Sequence, residues 1–346
     1  MNRRRLLFMA VAVALSCSLS WAYLKVQGAG TSMSQAASGY LSTLDEKELA
    51  VSLKKYDDPL RVDWHFIPKD ERKGLQIKNM SKEQRRAAMK LLKTSLSSVG
   101  YDKATQIMRL ESVLNALEGG KGANIRDARR YYVTIFGKPT ENGRWGLSFE
   151  GHHLSLNFVV ENNEVISTSP SFFATNPATI MVKVPDTKQA KGTRVLAAEE
   201  LLAFELVNAL SKEQKSVAVL ADTAPREIRA AGEPQPPQEA AAGIPAKNLD
   251  EAQKKILHGL LQSYIENVPD DVAKARLMAI DKAGFDTIHF AWAGATKPGI
   301  GHYYRLQGSS FLIEFVNTQP DPAGNPANHI HCVWRNPNGD FAIPIK

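Results

Sequence analysis

The sequence predicts an α+β fold made of two helix-helix-antiparallel-sheet repeats, and three observations carry that prediction. Helical apolar spacing gives way to the period of two of a strand, and it does so twice in the same order. A stretch around Gly151 aligns with one around Gly308 at glycine and apolar positions. Between the two lies a proline- and alanine-rich run, 222–247, centred on Gly232-Glu233-Pro234-Gln235-Pro236-Pro237, which reads as an exposed linker.

From the N-terminus, Arg3, Arg4 and Arg5 precede an apolar run from Leu6 to Leu15, and Ser20-Trp21-Ala22 puts small residues at minus three and minus one of a cleavage after Ala22. That order predicts a signal peptide over 1–22 and an extracytoplasmic destination, periplasmic or secreted. The run is shorter than the roughly 20 residues that cross a bilayer, so no stable membrane span is expected after cleavage. Continued through Trp21, it would serve instead as an uncleaved anchor. Asn2-Arg3-Arg4-Arg5-Leu6-Leu7 also fits a loose twin-arginine pattern, the address of proteins exported folded, with an ordinary basic leader as the plainer alternative.

Removing this segment changes the chemistry of the rest. The whole chain carries 43 basic and 36 acidic side chains, a net of +7; without three arginines of the leader the excess is +4. So even a balance argues against a nucleic-acid partner. Cys332 is then the one cysteine left, which rules out an intramolecular disulfide and leaves stability to a hydrophobic core.

Residues 23–45 are small and polar and read as a tether to the first half, 46–221. Ser81-Lys82-Glu83-Gln84 is a capping box that opens a helix with Ala88, Leu91, Leu92 and Leu96 on one face. Gly100 is read as its end, and Ile107, Leu110, Val113, Leu114 and Leu117 mark the next helix. Alternation then predicts strands over Tyr131–Phe136, Gly146–Val160 and Glu164–Ser169, with the turn at 138–143. Leu196–Leu210 is an amphipathic helix, followed by a second capping box at Ser211-Lys212-Glu213-Gln214.

The second half, 248–346, repeats the order. Asp250 opens a helix with Leu260 and Leu261 where the first had Leu91 and Leu92. A helix over 269–283 and strands over Thr287–Ala293, His302–Leu306 and Ser310–Val316 follow. The expectation is an internal duplication whose two sheets join into one around a pseudo-twofold axis.

Eight histidines remain outside the leader, and they bunch in the strand motifs. In Asn328-His329-Ile330-His331 strand alternation points both imidazoles to one face, and two histidines at i and i+2 can share a transition metal if a third ligand comes from elsewhere. Gly151-His152-His153 supplies it. Adjacent strand residues face oppositely, and His153 shares its face with Ser155 and Asn157, so the metal ligands predicted are His153, His329 and His331. Glu314 falls on the matching face of the second half and is the expected fourth ligand or general base. Such a set suits zinc, copper or iron. The alternative is that the imidazoles hydrogen-bond neighbouring strands in a polar core. His152, His302, Tyr304, Arg305 and Asn328 are the candidates for binding a polar organic small molecule or saccharide. Cys332 shares its face with Ile330 and Trp334 and reads as a buried thiol.

The motifs Trp145–Phe158, Ser171–Ala178, His302–Gly308 and Asn328–His331, in that order, resemble a bacterial family known as domain of unknown function 3500. The likeness spans roughly residues 80–341. It implies exported proteins marked by the glycine-histidine-histidine motif and no assigned activity. The family's last strand runs on into a short helix, whereas here Gly339-Asp340-Phe341 is followed by five residues; if that helix serves a site, this chain lacks part of it. Two functions of different class follow: a metal-dependent enzyme, or a binding or scaffold protein of the cell envelope with structural histidines.

Overall fold

The structure, a computed structural model, describes residues 27–121, 125–185, 187 and 189–345. The leader read over 1–22 lies outside these residues. No helix among the described residues is long and apolar enough to cross a membrane.

The helices are α1 (Ala29–Leu41), α2 (Glu46–Ser52), α3 (Lys82–Ser95), α4 (Ser98–Leu117), α5 (Ala197–Ala209), α6 (Lys212–Ala218), α7 (Glu251–Ile265) and α8 (Asp270–Ala283). The strands of the first half are β1 (Leu53–Lys54), β2 (Leu75–Gln76), β3 (Tyr132–Phe136), β4 (Arg144–Gly151), β5 (Leu154–Glu161), β6 (Glu164–Ser167) and β7 (Ser171–Thr175). The remaining strands are β8 (Val219–Ala221), β9 (Ile244–Pro245), β10 (His289–Gly294), β11 (His302–Gln307), β12 (Leu312–Asn317) and β13 (Ile330–Arg335). The architecture is α+β, with one 13-stranded sheet whose main path runs β1-β3-β4-β5-β7-β13-β12-β11-β10-β8, while β2, β6 and β9 pair with β3, β5 and β10. Near the middle of the sheet β7 pairs antiparallel with β13, His331 opposite Ala174.

Local chemistry sets the helix starts. Ser81, Ser211 and Asp250 each close a capping box with the glutamine three residues on, satisfying two backbone donors that a helix end would otherwise leave bare. Gly100 does not end a helix. It sits in the first turn of α4, capped by Ser97, where a Cβ would lie 2.0 Å from the Asn267 carbonyl oxygen. Close backbone approach, rather than helix termination, is what that glycine supplies.

Two of the expected boundaries change. The tether over 23–45 gives way from residue 29 to α1, whose Met33, Ala37 and Tyr40 are fully buried against α3 and the sheet. Small residues made the segment look solvated; here they let the helix approach closely, with Gly30 against the backbone of Asn163. Nor is 222–247 an exposed linker. Ile228 is buried, and the segment crosses the sheet as a strap whose Ala230 and Glu233 carbonyls accept from Arg335. Prolines suit such a run because it needs few ladder donors.

The two faces of the sheet are covered differently. All the large helices pack on one face over the main core, which includes Trp292, Tyr304, Phe315 and Cys332. The other face is covered by two irregular straps, 55–74 and 222–243, joined by a hydrogen bond from the Trp64 indole to the Glu233 carbonyl, 2.8 Å. Trp64, Phe66 and Ile228 pack there on Phe172, Ala174, Val316 and Val333 in a second core.

Candidate metal centre

His331 projects from β13 toward the straps, because Val316 and Ala174, its ladder partners, both belong to the strap-side core. His329, just before β13, points the same way. Its backbone amide is held by the Asn317 side chain at 2.9 Å. His153 arrives by a different route. The run 146–160, read as one strand, is a hairpin: Gly151 pairs with Leu154, and His152-His153 forms the two-residue tip. His153 takes the left-handed region, φ 65°, uncommon outside glycine, and its amide donates to the Phe66 carbonyl of the first strap at 2.9 Å.

The three imidazoles converge. His329 Nε2 lies 2.9 Å from His153 Nε2 and 3.0 Å from His331 Nε2. His153 and His331 are buried and His329 is half-buried. These residues lie close enough to hold a metal ion. Two nitrogens each 2.0–2.1 Å from a tetrahedral ion stand about 3.3 Å apart, so the observed separations are near that edge and slightly inside it. Burial, and then the charges that neighbouring histidines and Arg126 would oppose, holds His153 well below the usual imidazole range and takes His329 down to about 2. Neutral imidazole is the form that offers a lone pair to a metal.

The outer groups fit that role. Both carboxylate oxygens of Glu227 accept from His331 Nδ1, at 2.9 and 2.8 Å, which puts the ring proton on Nδ1 and leaves Nε2 free. The Asn176 amide lies 3.3 Å from His329 Nδ1 through its nitrogen, while its buried Oδ1 has no partner. Turning that amide over would let Oδ1 accept from Nδ1–H and free the second Nε2 in the same way. His152 stacks on His153, centroids 3.7 Å apart, and its Nδ1 meets Glu111 and Arg126.

Glu314 is not brought to the centre. It is wholly buried on the strap-facing side, but its Oε1 accepts from Tyr303 at 2.6 Å and Arg229 at 2.8 Å. The carboxylate at the histidines is Glu227, which sequence reasoning missed by assigning 222–247 to solvent. Its one hint was Ile228, an isolated β-branched residue between opposite charges. Of the expected ligand-binding residues, His152 alone touches the triad. His302 lies on the helix side, stacked on Trp292 and 3.1 Å from Glu200. Tyr304 is also there, bonded to Tyr264 and the Glu199 carbonyl. Arg305 is buried opposite Glu314 in the ladder. Asn328 spends its amide on Thr179 and Asp321, tying down the loop before His329.

Fold and site together define an α+β protein with a three-histidine, nitrogen-donor cluster on the strap side of one sheet. The chain belongs to the family described as Protein of unknown function (DUF3500), which it matches over residues 27–343. The match reaches further toward the N-terminus than the motifs indicated, taking in α1. No curated protein and no solved structure matches the chain.

Proposed function

We propose that this is an exported protein binding one transition metal ion, zinc, copper or iron, through the Nε2 atoms of His153, His329 and His331, and that it is an enzyme acting on a polar organic molecule, small or polymeric, saccharides included. The convergence of three Nε2 atoms supports this reading most, since with the His331 proton on Nδ1 a neutral His329 cannot make both Nε2···Nε2 contacts good hydrogen bonds, and a cation satisfies the lone pairs left over. A bound ion with one open position would activate water or oxygen. Glu227 orients His331 for the ion, Asn317 fixes the backbone of His329, and the half-buried His329 leaves that side of the centre the most open to solvent. Elemental analysis of protein purified without an affinity tag tests the reading: about one transition metal ion per chain is expected, and no metal on purification together with no uptake on titration overturns it.

The second reading is a cell-envelope binding or scaffold protein with structural histidines, favoured by the engagement of His152 and His302 with Glu111 and Glu200. It predicts that His153→Ala and His331→Ala lower stability and leave metal content unaltered. Export is tested separately by sequencing the N-terminus of the protein recovered outside the cytoplasm, with Tyr23 expected first.

A further inference from the structure

On the helix side of the sheet, at the far end of β13 from His329, a cleft of about 260 Å³ opens between α8, β6 and the tip of the β11–β12 hairpin. Its floor is the indole of Trp334. The Arg276 guanidinium sits over that ring, its central carbon 4.0 Å from the centroid, while Phe311 stacks on the indole with centroids 5.2 Å apart. The guanidinium donates to Thr168 Oγ1 at 2.6 Å and reaches the Tyr264 carbonyl at 3.5 Å. Among the described residues no carboxylate forms an ion pair with Arg276, unlike Arg126, Arg229 or Arg335, each of which meets at least one. The rest of the lining is divided between hydroxyls and amides, among them Ser167, Ser310, Asn336 and Asn338, and the apolar side chains of Val165, Ile166 and Val272.

A charge held in a concave, partly desolvated place without a counter-charge is costly, and an anionic guest removes that cost. Burial pushes the Arg276 guanidinium down to about 9, still charged at neutral pH. The bonds to Thr168 and the Tyr264 carbonyl anchor the fork over the indole and use two of its five N–H donors, so the others remain for a ligand. One positive charge balances a monoanion better than a doubly charged phosphate. The cleft also exceeds the size of a bare carboxylate, and its mixed lining suits a remainder that carries hydroxyls on some edges and C–H faces on others.

We propose that this cleft binds a small hydroxylated carboxylate with the size and chemistry of a sugar acid, Arg276 meeting the carboxylate and the serine and asparagine side chains meeting hydroxyls. The site is separate from the metal centre and does not depend on it. Calorimetric titration of the full chain with D-glucuronate and, as neutral control, D-glucose tests it. Glucuronate binds about tenfold or more tightly than glucose, and Arg276→Gln removes that difference, as expected for losing a charge-assisted pair. Arg276→Lys keeps part of it. Ala275→Phe, at an exposed position on the cleft wall, blocks binding without touching the arginine and decides the matter should the Arg276 variants misfold. Equal affinity for the two sugars, no binding of either, or wild-type binding in Ala275→Phe overturns the proposal. So does loss of glucuronate binding in His331→Ala with retention in Arg276→Gln, which places the ligand at the histidines.

Discussion

The β4–β5 and β11–β12 hairpins each turn back through a two-residue tip that follows a glycine, with positive φ at His153 and at neither serine of the second tip. Gly151 pairs with Leu154 around His152-His153, and Gly308 donates to the Phe311 carbonyl around Ser309-Ser310. In each, an aromatic ring crowds the glycine: a Cβ on Gly151 would lie 2.5 Å from the Tyr131 ring, and one on Gly308 2.6 Å from the Phe311 ring. Yet the first tip lends an imidazole to the strap-side cluster, while the second places Ser310 in the wall of the cleft around Arg276. A two-residue tip after a glycine is therefore not by itself the source of chemistry. It presents two side chains, and what they do depends on what the rest of the chain brings opposite them.

Changing one tip and leaving the other is the sharpest way to break that comparison. His153→Ala is expected to drop metal content from about one ion per chain to background, whereas Ser310→Ala leaves it unchanged; a Ser310→Ala loss of equal size would mean the tips are not distinct. Glu227→Gln keeps the shape but weakens the acceptor on His331, and competition titration should show metal affinity about 10–100-fold lower. Next comes the shared scaffold. Gly151→Ala and Gly308→Ala should each cost about 1–3 kcal/mol in chemical denaturation through overpacking against the ring, with metal affinity falling only in the first.

The smallest effect is electrostatic. Burial alone would raise the Glu200 carboxyl, but His302, Asn317 and Arg194 together outweigh it and hold the group below its ordinary value. Because its folded pKa is depressed, the unfolded chain binds the proton more readily, so the stabilisation is present above the unfolded pKa and is lost as pH falls through the folded one. Melting curves between pH 7 and pH 3 should therefore steepen below about 4.5, and Glu200→Gln should flatten that dependence. Since Asn317 links Glu200 at 2.7 Å to the His329 amide, a metal titration of the same variant reports whether the helix side is felt at the centre.

Much of the site was legible because part of it is local. His329 and His331 are two residues apart on one edge of a strand, and alternation alone sends them to the same side. Strand alternation gives His153 only part of its reason: it reaches the cluster from a turn rather than from a strand, and no propensity in a run of 15 strand-forming residues marks the reversal at His152-His153. Glu314 was misplaced because it shares the strap-facing side with His331, and a shared face says nothing of which partner takes the carboxylate. Arg229, from a strap 85 residues away, took it.

What the sequence by itself determined are the features set by neighbours within a few residues: the capping boxes at Ser81, Ser211 and Asp250, the change from helical to strand period, and the pairing of His329 with His331. Hydrogen bonds of that kind close within one turn and need no knowledge of the fold. Only the tertiary structure decided that α1 is core, that a proline-rich run is a strap, and that Glu227 rather than Glu314 meets the histidines. Those depend on contacts such as His153 with His329 and Glu227 with His331, separated by 176 and 104 residues, whose formation rests on how the whole sheet closes and not on any local preference.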